Sequence, residues 1–147
     1  MAQAAKDCTE YIVKGDPGDF AKMQTYLSDW YKSALAVEQR IGDISGLEKL
    51  YIWGGGAHTE FLYKATSLFM RNPNAEYIII DSDPLKQGRT WRGIDIISSS
   101  QVDFGNLGNT KILISSYGSQ NDILKILLDK GVSRNQIITL YETLKIY

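Results

Sequence analysis

The chain has 147 residues, with 16 lysines and arginines against 17 aspartates and glutamates, for a formal net charge of −1. Hydrophobic residues make up 44% and charged residues 22%, which excludes a disordered tail or a fibrous repeat and fits one domain burying roughly 68–70% of its unfolded surface. Near-zero charge gives no electrostatic footprint for nucleic acid, while one cysteine (Cys8) and one histidine (His58) exclude an internal disulfide, a four-cysteine zinc site and most histidine-based metal sites.

No apolar run approaches the roughly 20 residues of a membrane span. The opening MAQAAKDCTE lacks the apolar stretch of a signal peptide. The expected compartment is the cytoplasm, with no membrane insertion and no metal.

Residues 1–46 carry no strand-like run and are expected to form a helical N-terminal segment. Leu27, Trp30, Ala34, Val37 and Ile41 recur at spacings of three and four, which places them on one helical stripe. Asp16-Pro17-Gly18-Asp19 reads as a turn from which Pro17 or Asp19 opens the helix, and Gly42 and Gly46 bracket its exit. The stripe is expected to face apolar partners. It docks on the following domain, forms a homodimer, or connects to a larger parent protein.

From residue 47 to 147, short apolar runs alternate with helix-like stretches, the pattern of a mainly parallel α/β sheet. Glu48–Trp53 is β-rich and ends at Gly54-Gly55-Gly56. A helix is expected from His58 to Met70, stopped by Asn72-Pro73-Asn74. Glu76–Asp81 is apolar on both faces, as a buried parallel strand should be. Ser82–Arg92 is polar and broken by Pro84 and Gly88. Gly93–Ile97, Lys111–Ser115 and Gln136–Leu140 are further strands. Between the last two, Ser119 or Asn121 caps a helix reaching Lys130, with Gly131 as its stop. The first strand and the strand ending at Asp81 are expected to be adjacent and parallel.

The chemistry concentrates at strand, then Gly54-Gly55-Gly56-Ala57-His58-Thr59, then helix. A glycine loop entering a helix lets backbone N–H groups approach a phosphate at the positive helix end. Gly54 and Gly56 occupy the first two positions of a dinucleotide-type fingerprint, and Thr59 stands where a third glycine or alanine belongs. That replacement is expected to hold the helix slightly away from the strand. Asp81, at the end of the second strand, is placed to accept ribose hydroxyls. Asp83-Pro84 is more simply a turn. His58 contacts a ligand at the crevice mouth, or packs beside the loop. Lys86, Arg89 and Arg92 form a cationic loop able to hold a diphosphate, with Trp91 available to stack on a base. Ser115 and Ser116, with Tyr117, follow the third long strand at the same sheet edge and line the crevice. A serine nucleophile there would need His58 as its base.

The stretches Tyr51–Thr59, Ile80-Asp81-Ser82-Asp83-Pro84, Lys86-Gln87-Gly88 and Gly93–Ile97 together resemble a small Rossmann-like module covering residues 47–141. Its cadence is a GxGxHT loop, a strand ending in a DxDP-like turn, a QG loop and a glycine-led apolar strand. Similar modules form the C-terminal α/β domain of sugar C-methyltransferases, accompany bacterial glycosyltransferases, and form the N-terminal domain of PglD-like sugar O-acyltransferases. The resemblance implies a three-layer α/β sandwich of about five strands after the helical segment. It also implies a nucleotide- or nucleotide-sugar-binding role in a sugar-modifying or polysaccharide-building system, without catalytic chemistry of its own. The catalytic parts of those proteins lie in other domains. An NAD(P)-dependent oxidoreductase, a sugar-modifying transferase and a structural interaction domain without a ligand are the alternatives.

Overall fold

Short runs with apolar side chains on both faces become the strands of one sheet, because only a sheet covered on both sides can use them. A computed structural model describes residues 17–142, and Cys8 and Asp16 lie outside them. The strands are β1 (Lys49–Trp53), β2 (Glu76–Ile80), β3 (Thr90–Trp91), β4 (Ile94–Ile97), β5 (Thr110–Ile114) and β6 (Ile137–Ile138). They form one mixed sheet in the order β3-β4-β2-β1-β5-β6. β1 pairs in parallel with β2 on one side and β5 on the other, aligning Trp53 with both Ile80 and Ile114. β4 joins β2, and β6 joins β5, also in parallel. Only β3 is antiparallel, as a hairpin on β4. Chain direction across the sheet therefore reverses at β1: the strands before it in space follow it through β2, those after it through β5.

Alternation along the strands divides the core in two. Leu50, Ile52, Ile79, Leu113 and Ile138 pack with Leu62 and Leu68, which belong to helices α2 (Ala57–Ala65) and α3 (Leu68–Arg71). Trp53, Ile80, Ile112, Ile114 and Ile137 join Ile123 and Leu127 of helix α4 (Gln120–Asp129), together with Val102 and Phe104. Adjacent residues such as Ile79 and Ile80 enter different clusters, the period of two that a strand imposes.

Helix α1 (Pro17–Ile41) begins at one of the two openings expected. The chain divides into two units inside this helix, between Lys32 and Ser33. In the second unit Val37, Ile41 and the following Ile44 are buried in the first core cluster. In the first unit Leu27 is 54% exposed and Trp30 49% exposed, so of the expected stripe the residues buried within the chain itself are Val37 and Ile41. Asp19–Lys22 and Asp29–Lys32 form exposed i,i+3 pairs along that part of the helix.

Three details differ from the sequence reading, and one element lies in a stretch it left unassigned. The sheet has six strands, because Thr90–Trp91 pairs back on β4 through Arg92-Gly93, whose φ angles are both positive (50° and 81°), the requirement of a tight two-residue hairpin. The expected helix over 58–70 breaks at Thr66-Ser67. Glu38 of α1 accepts hydrogen bonds there from the N–H and hydroxyl of Ser67, and it also pairs with Arg71. β6 is shorter than Gln136–Leu140, since Arg134–Gln136 winds into a 3₁₀ turn. Between β4 and β5 a 3₁₀ turn over Ser99–Gln101 stands where an α/β crossover normally has a helix.

Candidate functional site

The glycine loop leaves the carboxyl end of β1, at the point where the sheet order reverses. Its three glycines have three different reasons to be there. Gly54 adopts φ 118°, and a Cβ on it would lie 2.5 Å from the backbone oxygen of Ser115. No side chain fits, so β1 and β5 stay close as both strands end. Gly54 donates its N–H to Ile80 O and Ser115 donates its N–H to Trp53 O, which carries the ladder one residue past the strands. Gly55 is packed on Asp81 and Ile79, each 3.1 Å from where its Cβ would be. Gly56 has an ordinary extended backbone (φ −127°) and open space where a side chain would project. It is the N-cap of α2 and supplies no side-chain acceptor to the first turn. The N–H groups of Ala57 and His58 thus start the helix without a side-chain cap, at the positive end of its dipole.

Asp81 is 7% exposed and is the clamp of this loop. One carboxylate oxygen accepts from Gly55 N–H (2.8 Å) and from the Lys86 ammonium (3.0 Å). The other accepts from Asp83 N–H (2.9 Å). Burial pushes the Asp81 carboxyl up, but the Asp83 N–H, the Lys86 ammonium and the Gly55 N–H together outweigh it and hold the pKa below its ordinary value. Gln87 donates to Asp81 O (2.9 Å), closing the 81–88 loop on itself, and Gly88 N–H donates to Ile96 O, tying the end of the loop to β4.

Thr59 does the reverse of what its size suggests. It is fully buried, and its hydroxyl donates to Gly54 O while lying 2.8 Å from Ser115 Oγ. The hydroxyl staples the helix to the loop. His58 Nδ1 lies 3.0 Å from the same Ser115 Oγ, and Nε2 lies 2.5 Å from the Tyr141 hydroxyl.

Counting hydrogens assigns this chain of contacts. Gly54 O only accepts, so the Thr59 hydrogen goes to it. The Ser115 hydrogen then fills the contact to Thr59. Ser115 Oγ therefore accepts from His58 Nδ1–H, and the neutral ring accepts the Tyr141 hydrogen at Nε2. One directed path results: Tyr141, His58, Ser115, Thr59, Gly54 carbonyl. Burial lowers the His58 pKa and keeps the ring neutral. Burial raises the Tyr141 pKa, and the nearby Tyr117 phenol adds to it. The nitrogen facing Ser115 carries hydrogen, so His58 is not a base toward that serine. The pair that a serine nucleophile requires is present with the opposite polarity.

The remaining candidates separate. Ser116 Oγ accepts from Ser119 N–H (3.2 Å), ordering the entry to α4. Arg89 is exposed beside the β3–β4 hairpin, with β4 and β2 between it and β1. Arg92 is engaged with Glu60 (2.7 Å) and lies over the Tyr63 ring at 4.1 Å. Trp91 packs against Tyr63 and Phe69. Lys86 alone of the cationic loop reaches the glycine loop, through Asp81. Two residues of the site carry no local sequence signal. Tyr141 sits 83 positions from the His58 it bonds. Gln120, buried at the start of α4, donates to Tyr141 O and accepts from Leu140 and Tyr141 N–H, which holds the Tyr141 backbone in place.

Among the described residues no group of three or more His, Cys, Asp or Glu side chains is placed to hold a metal ion. No helix among them is long and apolar enough to cross a membrane. No protein-family model matches the chain, and no curated protein matches it.

Proposed function

We propose that this chain is a Rossmann-like, three-layer nucleotide- or nucleotide-sugar-binding module. It serves a sugar-modifying or polysaccharide-building system without catalytic chemistry of its own. The observation that carries the reading is the placement of the glycine loop. It leaves β1 where the sheet order reverses, and in open α/β sheets ligands bind outside the carboxyl ends of strands at that point. Gly54 is required by the close approach of Ser115, whereas Gly56 fills no structural need that a side chain would violate. A residue kept bare beside uncapped helix N–H groups suits the approach of a phosphate. Lys86 is bonded to the Asp81 oxygen that holds Gly55 and so helps to fix the loop at the same edge.

The role in a sugar pathway rests on the resemblance of residues 47–141 to modules of sugar C-methyltransferases, glycosyltransferases and sugar O-acyltransferases. The polarity of the His58–Ser115 pair favours binding over nucleophilic catalysis. The test is a thermal-shift series with NAD, NADP, UDP-, dTDP- and CDP-sugars, S-adenosylmethionine and coenzyme A. A ligand that binds only the folded state adds about 2.7 kcal/mol of stability at a hundred times its Kd and so raises the melting temperature. A nucleotide-sugar should raise it. The reading fails if no phosphorylated compound does.

A further inference from the structure

The sheet order makes the loops after β2, β1 and β5 neighbours along the carboxyl edge. On the β2 side, the groups expected to hold a ribose and base are occupied. Asp81 already accepts three hydrogen bonds from its own chain, and Trp91 is packed among Tyr63, Phe69 and Arg92. On the β5 side the opposite holds. Tyr117 is 52% exposed and meets Tyr141 edge-on, with ring centres 4.8 Å apart at 80°. Tyr141 is fixed in turn by His58 Nε2 and, through its backbone, by Gln120. Tyr117 is thus a positioned aromatic surface two contacts from the first turn of α2. Outside the helices, the large apolar side chains exposed among the described residues are Tyr117 and Leu85, 75% exposed. Both lie on the loops that flank Gly54–Gly56.

From this juxtaposition we infer that the ligand is a mononucleotide-type molecule whose planar ring stacks on Tyr117, on the β5 side of the loop, rather than lying toward Asp81. The inference deepens the reading above and rests on its phosphate position at Gly56–His58. Stacking on an exposed aromatic ring tolerates any base, because every base has a π face.

The experiment is titration calorimetry of the full chain with AMP, GMP, CMP and UMP, beside ribose 5-phosphate and inorganic phosphate. The parent should bind at least one nucleotide at least tenfold more tightly than ribose 5-phosphate. Tyr117→Ala should remove that difference while leaving ribose 5-phosphate binding unchanged, and Tyr117→Phe should retain it, since stacking needs the ring and not the hydroxyl. The inference is overturned if the nucleotides bind no better than ribose 5-phosphate, or if Tyr117→Ala keeps the preference. If none of the phosphates binds the parent, the phosphate position itself is wrong and both claims fall together.

Discussion

Replacing Gly54 by alanine tests the tightest point of the molecule. The native φ of 118° lies in a region that side-chain-bearing residues rarely adopt, which alone costs on the order of 1–3 kcal/mol. The new Cβ would also stand 2.5 Å from Ser115 O, a backbone atom held by the β1–β5 ladder, so relief requires one strand end to move. Moving Ser115 disturbs its contacts to Thr59 and His58 together. A loss of roughly 3 kcal/mol or more is therefore expected, near the upper end for a single substitution. Gly56→Ala is the internal control. Its φ of −127° suits alanine and nothing lies within 4 Å, so a change within about 1 kcal/mol is expected, including the small loss of a glycine N-cap. Urea unfolding of both variants, followed by circular dichroism, gives the two values. Should Gly54→Ala lie within 1 kcal/mol of the parent, the close approach of β1 and β5 is not what selects glycine there.

Two further outcomes follow, one from the His58 network and one from the Asp81 clamp. Burial lowers the His58 pKa, so between that lowered value and the ordinary histidine value of about 6.5 the unfolded chain holds a proton that the folded chain lacks. Stability is then full above about pH 7 and falls as pH drops through 6.5, and His58→Gln should abolish that step while leaving the later acid loss from Asp81. Identical urea midpoint profiles for parent and variant between pH 5 and 7 would contradict it. Asp81→Asn replaces one acceptor oxygen by a donor, leaving either Asp83 N–H or the Gly55 and Lys86 donors facing an NH₂ group. It should lower stability by about 1–3 kcal/mol in urea unfolding, whereas Lys86→Met, removing a part-exposed cation, should lower it by less than about 1 kcal/mol. Equal effects would mean that Asp81 is no clamp.

What sequence pattern could show was the set of parallel strands. Runs such as Tyr77–Ile80 and Ile112–Ile114 are apolar at consecutive positions, which only a sheet covered on both faces accommodates. The glycine loop was legible for a related reason: strand, glycines and helix follow one another without gaps. What stayed hidden depends on distant partners. The break at Thr66-Ser67 answers to Glu38, 29 positions away from Ser67, and local helical periodicity continues straight through it. The β3–β4 hairpin turns at Arg92-Gly93, which lacks the Asn-Gly or Asp-Gly signature of such turns. Thr59 reads as a bulky substitute for glycine until Gly54 O and Ser115 Oγ come within reach of its hydroxyl. Asp81 was legible as a site residue, but as a ligand's partner; its three internal donors make it the loop's own.

In the proposed function, Gly56 stays bare so that a phosphate can reach the N–H groups of Ala57 and His58. Gly56→Val tests it cleanly, because φ is ordinary and the space is open, so the variant should fold with an unchanged circular dichroism spectrum. Titration calorimetry with the nucleotide that most stabilises the parent should then show binding at least tenfold weaker, about 1.4 kcal/mol. Equal affinity for parent and variant would make the loop a turn and nothing more.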